Sequence, residues 1–204
     1  MKLYDSIGPN PRVVRLAMAE KAMAIDTVTV DLIAGENRQA AYLAKVSTGG
    51  LPALELDNGT IITEITVIAD YLEELQPNPA IIGTTSEQRA ETRMWVRRID
   101  LGIIEPMTTA FRAVEGRRMF ASRMSLVSVE AAAELKAMTQ EKLLWLDAQM
   151  AGRTWICGDR YTLADIMLLA FVDFGISVGQ PLPAAATWLA DWRTRAAARP
   201  SSAA

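Results

Sequence analysis

Residues 51–75 read LPALELDNGTIITEITVIADYLEEL, and the period of their apolar residues changes part-way along. The first dozen residues give two short strands joined by Asp57-Asn58-Gly59, whose Asn-Gly pair suits a tight hairpin turn. From residue 63 the apolar positions return at helical spacing. Upstream, MKLYD reads as a strand, and residues 11–23 place Val14, Ala17, Met18 and Ala22 on one helical face. TVTVDL (27–32) is β-branched and alternating, a second strand, and a weaker helical stretch covers 37–45. The order over residues 1–76 is therefore β-α-β-α-β-β-α. Downstream, QPNPAIIGTTS breaks the periodicity with two prolines and a Gly-Thr-Thr-Ser cluster, so residues 77–86 read as a linker. Residues 87–204 are helical throughout. Ser86 is placed to cap a helix that bends near Gly102 and Pro106, and Ser128 to cap a long one reaching Met150. Thr162 and Asp165 have capping-box spacing, and a last helix carries Trp188, Leu189 and Trp192.

Composition narrows the chemistry. The chain has 204 residues, half of them apolar, enough for one large domain or two small ones. Twenty-one basic residues against 24 acidic ones leave a net charge of −3, with no concentrated basic face for nucleic acid. The longest strongly apolar run, IMLLAFV (166–172), is far too short to span a membrane. With no apolar secretory core after the first lysine, a cytoplasmic location is expected. There is no histidine and one cysteine, Cys157. That excludes a Ser-His-Asp or Cys-His pair and an internal disulfide, and leaves no credible metal site. Catalysis must come from carboxylates, hydroxyls, amides, backbone dipoles or a reactive group on the ligand.

The β-α-β-α-β-β-α order, the Leu-Pro pair opening the third strand and the all-helical second half together resemble a cytosolic glutathione S-transferase of bacterial type. Three stretches carry the resemblance: MKLYDSIGPNPRVVRLAMAEK, GGLPALELDNGTIITEITVIADYLEE and GDRYTLADI. It implies a fold with a thioredoxin-like N-terminal domain followed by an all-helical C-terminal domain. It also implies a homodimer, with glutathione and a small hydrophobic electrophile as substrates and no metal.

The resemblance also assigns residues. A cis Leu51–Pro52 bond would turn the Leu51 N–H and C=O toward an extended peptide, the cysteinyl part of glutathione; an ordinary trans proline at a strand start is the alternative. The Glu64 carboxylate would accept the γ-glutamyl ammonium, and backbone N–H groups at Ile65 the neighbouring carboxylate. Many relatives have serine where this chain has Ile65, and a long polar residue where it has Gly50. Arg38 is the candidate to compensate at the glycyl carboxylate. The electrophile pocket would be lined by Met107, Phe111 and Arg112, positions that equally suit a helical core.

The family lowers the thiol pKa with a Tyr, Ser or Cys in or just after the first strand. Here Asn10 stands at the cysteine position and Gly8 near the serine position. Asn10 has two readings: an N-cap ahead of Pro11, or a cap that also donates its amide to the thiol. Ser6 is the second candidate. Tyr4, within the strand, reads as packing. The implied activity is conjugation of the glutathione thiolate to an electrophile. The alternatives are glutathione-dependent reduction of disulfides or peroxides, and a non-catalytic binding protein on the same fold.

Overall fold

The computed structural model describes all 204 residues. They form two compact units, one of Met1–Thr84 with Pro200–Ala204 and one of Thr85–Arg199. The C-terminal residues thus belong with the first unit, not with the helical half.

The first unit is built on β1 (Lys2–Asp5), α1 (Pro9–Glu20), β2 (Asp26–Thr29), α2 (Ala40–Leu43), β3 (Ala53–Glu55), β4 (Ile61–Thr63) and α3 (Ile65–Leu75). The sheet order is β2-β1-β3-β4, with β1–β2 parallel and the other pairs antiparallel. Alternation sends Leu3 and Leu54 to one face, where they pack with Val14, Ile68 and Leu72 of α1 and α3. Tyr4 and Ala53 face the other way and pack with Val30, Tyr42 and Val46. The hairpin closes on a three-residue loop. Gly59 at φ +83° donates to Leu56 O, and Leu56 N–H donates to Thr60 O.

The structure departs from the sequence expectation in two places, the bounds of the first helix and the cap of the fourth. The first helix starts two residues before residue 11 and stops at Glu20, so Ala22 lies beyond it, exposed, at φ +51°. β2 is an edge strand and is exposed along its whole length. Thr85, not Ser86, caps the next helix by accepting from Gln88 N–H at 3.3 Å. The linker is also anchored. The buried Glu73 carboxylate accepts the N–H groups of Ile81, Ile82 and Gly83, and pairs at 2.6 Å with the buried Lys21 ammonium. Lys21 in turn donates to the carbonyls of Gln76 and Pro79. Such a pair needs its remaining hydrogen bonds satisfied, and both partners have them.

The second unit contains α4 (Ser86–Ile99), α5 (Glu105–Ala113), α6 (Arg117–Phe120), α7 (Val129–Gln149), α8 (Leu163–Ser177) and α9 (Thr187–Ala197). Between α4 and α5, Asp100–Ile104 forms a π-helical turn, with Glu105 N–H bonded to Asp100 O. Pro106 has no N–H to return to Gly102, so the ladder slips by one residue where a bend was expected. Ser128 caps α7 through Ala131 N–H at 3.1 Å, and Thr162 and Asp165 form the capping box of α8. α8 is buried on every side from Leu163 to Val172, which explains its uninterrupted apolar run. No helix is long and apolar enough to cross a membrane.

Candidate active site

The start of α1 is built by glycine and proline. Gly8 is the N-cap at φ +110°, a conformation that L side chains rarely adopt, and Pro9 is the first helical residue. Asn10 is therefore already inside the first turn and makes no capping bond, so its reading as N-cap is wrong. Two of the first three helical positions are prolines without an N–H. Arg12 N–H is bonded to Gly8 O at 3.3 Å. Asn10 is thus the residue of this helix start that still offers donors, one backbone N–H and a side-chain amide.

Ser6 is placed elsewhere. Its buried hydroxyl donates to Val30 O at 2.6 Å, tying the end of β1 to the chain leaving β2. That commits its proton, so Ser6 is corrected from thiol donor to structural hydroxyl. Tyr4 donates its hydroxyl to Glu55, and that bond, with burial, raises its pKa. Lys45 pairs with the same carboxylate at 3.1 Å.

The Leu51–Pro52 bond is cis. Leu51 and Pro52 line a cleft of about 160 Å³ together with Asn10, Glu64, Ile65, Thr48, Gly50 and Thr63. Five candidate site residues, Asn10, Leu51, Pro52, Glu64 and Ile65, thus meet in one place. Thr48 and Thr63 join them, and their only sequence signal is that they flank Gly49-Gly50 and Glu64. Glu64 is the one formal charge in the lining, and it precedes α3 at φ +70°, ψ +121°. A non-glycine residue there is strained, by roughly 1–3 kcal/mol. Arg38 is not in the lining; its Nη1 donates to Thr48 O at 3.1 Å from beside the loop.

The electrophile-pocket residues lie in the second unit. Met107 is wholly buried, its sulfur and terminal methyl against Gly175, and offers no surface to a ligand. Its role is packing. Phe111 stands edge-on to Phe120 and Phe174, with centroids 6.1 and 4.8 Å apart, and the Arg112 guanidinium covers Phe120 at 6.0 Å. Cys157 is also in this unit, buried beside Thr92 and Thr162, and burial pushes its thiol pKa up.

Sequence comparison matches residues 3–80 to the glutathione S-transferase N-terminal domain and residues 114–200 to the corresponding C-terminal domain. The chain is 31% identical to glutathione S-transferase 2 of Saccharomyces cerevisiae, over 98% of this chain and 87% of that one. It belongs to the glutathione S-transferase family. Among solved structures, a glutathione S-transferase domain-containing protein of Marinobacter aquaeolei superposes with a TM-score of 0.92 at 32% identity, covering 98% and 99% of the two chains. Gtt2 of Saccharomyces cerevisiae superposes at 0.91 and 30% identity, covering 98% of each. Membership makes this chain one of a family of enzymes. Gly50 and Ile65 both line the cleft.

Proposed function

We propose that the protein conjugates the thiolate of glutathione to small hydrophobic electrophiles, with the cleft of the first unit holding the tripeptide. The placement of Asn10 carries this reading: it is the donor-bearing residue of the α1 start and it lines the same cleft as Leu51 and Glu64. The Leu51 backbone pairs with the cysteinyl residue. The Glu64 carboxylate takes the γ-glutamyl ammonium, and the free N–H groups opening α3 at Ile65 take the adjacent carboxylate. Arg38, held against Thr48, is the cation assigned to the glycyl carboxylate. Asn10 donates to the sulfur, so the thiolate forms at neutral pH without a side-chain base.

Disulfide reduction through an enzyme thiol is disfavoured, because Cys157 is the only cysteine and is buried in the other unit. A homodimer in the cytoplasm goes with the proposed reading. Leu101 and Met138 support the dimer: both are exposed, on a groove of about 700 Å³ that also includes Trp145.

Calorimetric titration with glutathione and a dinitrochlorobenzene conjugation assay test the reading, and absence of binding at millimolar glutathione would overturn it. Asn10→Ala should cut turnover roughly tenfold to a hundredfold, with the glutathione KM moving far less, as expected for a donor felt mainly in the transition state. Unchanged turnover would remove Asn10 from the chemistry.

A further inference from the structure

Ahead of Leu51, three successive carbonyls are each held by a side chain from the single segment 37–42. Arg38 Nη1 donates to Thr48 O at 3.1 Å, Asn37 Nδ2 to Gly49 O at 2.7 Å, and the Tyr42 hydroxyl to Gly50 O at 2.7 Å. The two strands of chain touch so closely that only glycine fits at Gly49. It sits at φ +64°, and a Cβ there would lie 2.8 Å from Asn37 O.

The N–H groups of the loop tell the other half. Gly49 N–H donates to Val46 O at 2.8 Å, and Gly50 N–H donates to Thr48 Oγ1 at 3.2 Å. Both are used inside the loop, which leaves the Leu51 N–H for a ligand. Gly50 C=O and Leu51 N–H belong to one planar trans peptide, so they point in opposite directions. The bond that draws Gly50 O toward Tyr42 turns the Leu51 N–H the other way.

We propose that Tyr42 is a positioning residue for the thiol substrate: by holding Gly50 O it fixes the Leu51 N–H as the donor that an extended peptide meets in the cleft. The inference rests on the reading that this cleft takes glutathione. Tyr42 is suited to the task because it cannot move easily. It is buried with Val30, Val46 and Ala53, and its ring stands at 82° to that of Tyr4, 5.9 Å away. Burial pushes its phenol up to about 12, so it remains a proton donor at any pH at which the enzyme would be assayed.

Tyr42→Phe keeps the ring and removes only the hydroxyl, and Tyr4→Phe does the same to the neighbouring ring as a control. Loss of one net hydrogen bond predicts that Tyr42→Phe raises the glutathione Kd and KM roughly fivefold to tenfold. Turnover at saturating glutathione should stay within about twofold, the split expected when binding rather than chemistry is impaired. In the ligand-free protein, ¹⁵N relaxation should show the Leu51 amide losing order relative to wild type, while Tyr4→Phe leaves it as it was. An unchanged glutathione Kd in Tyr42→Phe, or a Leu51 amide as ordered as in wild type, would overturn the assignment. If the wild-type protein itself fails to bind glutathione, the reading of the cleft falls, and the ligand-free relaxation still decides what Tyr42 does to Leu51.

Discussion

Glu64 shows how one residue can carry a conflict between folding and binding. Its backbone is in a region that costs a side-chain-bearing residue roughly 1–3 kcal/mol, yet the residue is the cleft's only carboxylate. Its carbonyl is used, since Ile68 N–H donates to it at 2.9 Å as α3 begins. Nothing in that bond requires a side chain. Glu64→Gly should therefore relieve the strain, offset in part by about 0.5–1 kcal/mol of extra freedom in the unfolded chain. The expected result is a urea midpoint equal to or above wild type, with glutathione affinity reduced at least tenfold by loss of the charged acceptor. A clear loss of stability would mean that the carboxylate holds the fold and not the ligand. Sequence alone could single out Glu64 as an acid before a helix. It could not reveal the strained backbone, which is imposed by the β4 pairing on one side and α3 on the other.

At the scale of elements, the end of α1 makes a similar point. Met23 N–H donates to Met18 O at 2.9 Å and Ala22 N–H to Ala19 O at 3.1 Å, the two bonds of a Schellman ending. The residue that must turn left-handed is Ala22, at φ +51°, where glycine is usual. Ala22→Gly should stabilise the first unit by about 1 kcal/mol, read as a higher urea midpoint with an unchanged slope. A lower midpoint would show that the Ala22 methyl is needed. The elements that sequence reasoning recovered best are those written in local code: the Asp-Asn-Gly hairpin, the Ser128 cap, and the Thr162–Asp165 box. The misplaced ones depend on partners far along the chain. Ala22 looked helical because its spacing fitted. Ser6 looked available because its bond to Val30 spans 24 residues. Asn10 looked like a cap because Pro11 follows it, but Gly8 takes the non-helical angles and Pro9 opens the helix instead. The same shift moved Asn10 from a capping role into the cleft, which periodicity could not foresee.

Across the whole molecule, the two units can be followed separately, because all five tryptophans (95, 145, 155, 188 and 192) lie within Thr85–Arg199. Tryptophan fluorescence therefore reports unfolding of the helical unit, and that unit has a buried carboxyl at its centre. Asp165 accepts from Ile156 N–H at 3.1 Å, Thr162 N–H at 3.0 Å and Trp192 Nε1–H at 2.9 Å. Burial outweighs these donors and pushes its pKa from 3.8 to about 6. A carboxyl whose folded pKa lies above its unfolded value is protonated more readily in the folded state. Its contribution is fully present below the unfolded pKa and is lost as pH rises to the folded one. The loss is about 3 kcal/mol, complete somewhat above pH 6. Exposed Glu87 and Glu130 act in the opposite sense, since their pKa values are lowered chiefly by backbone hydrogen bonds, and their stabilisation is lost as pH falls. Exposed groups of that kind are weak beside a buried one. Tryptophan-detected urea unfolding should accordingly show the helical unit losing stability between about pH 4 and about pH 6.5. Asp165→Asn should be weaker at every pH, because its amide cannot accept all of those donors, and its pH slope should be much shallower over the same range, leaving the part contributed by Asp100, whose pKa burial also raises. If the variant retains the wild-type pH slope, the slope arises elsewhere, and Asp165 is simply a well-bonded carboxylate at the start of α8.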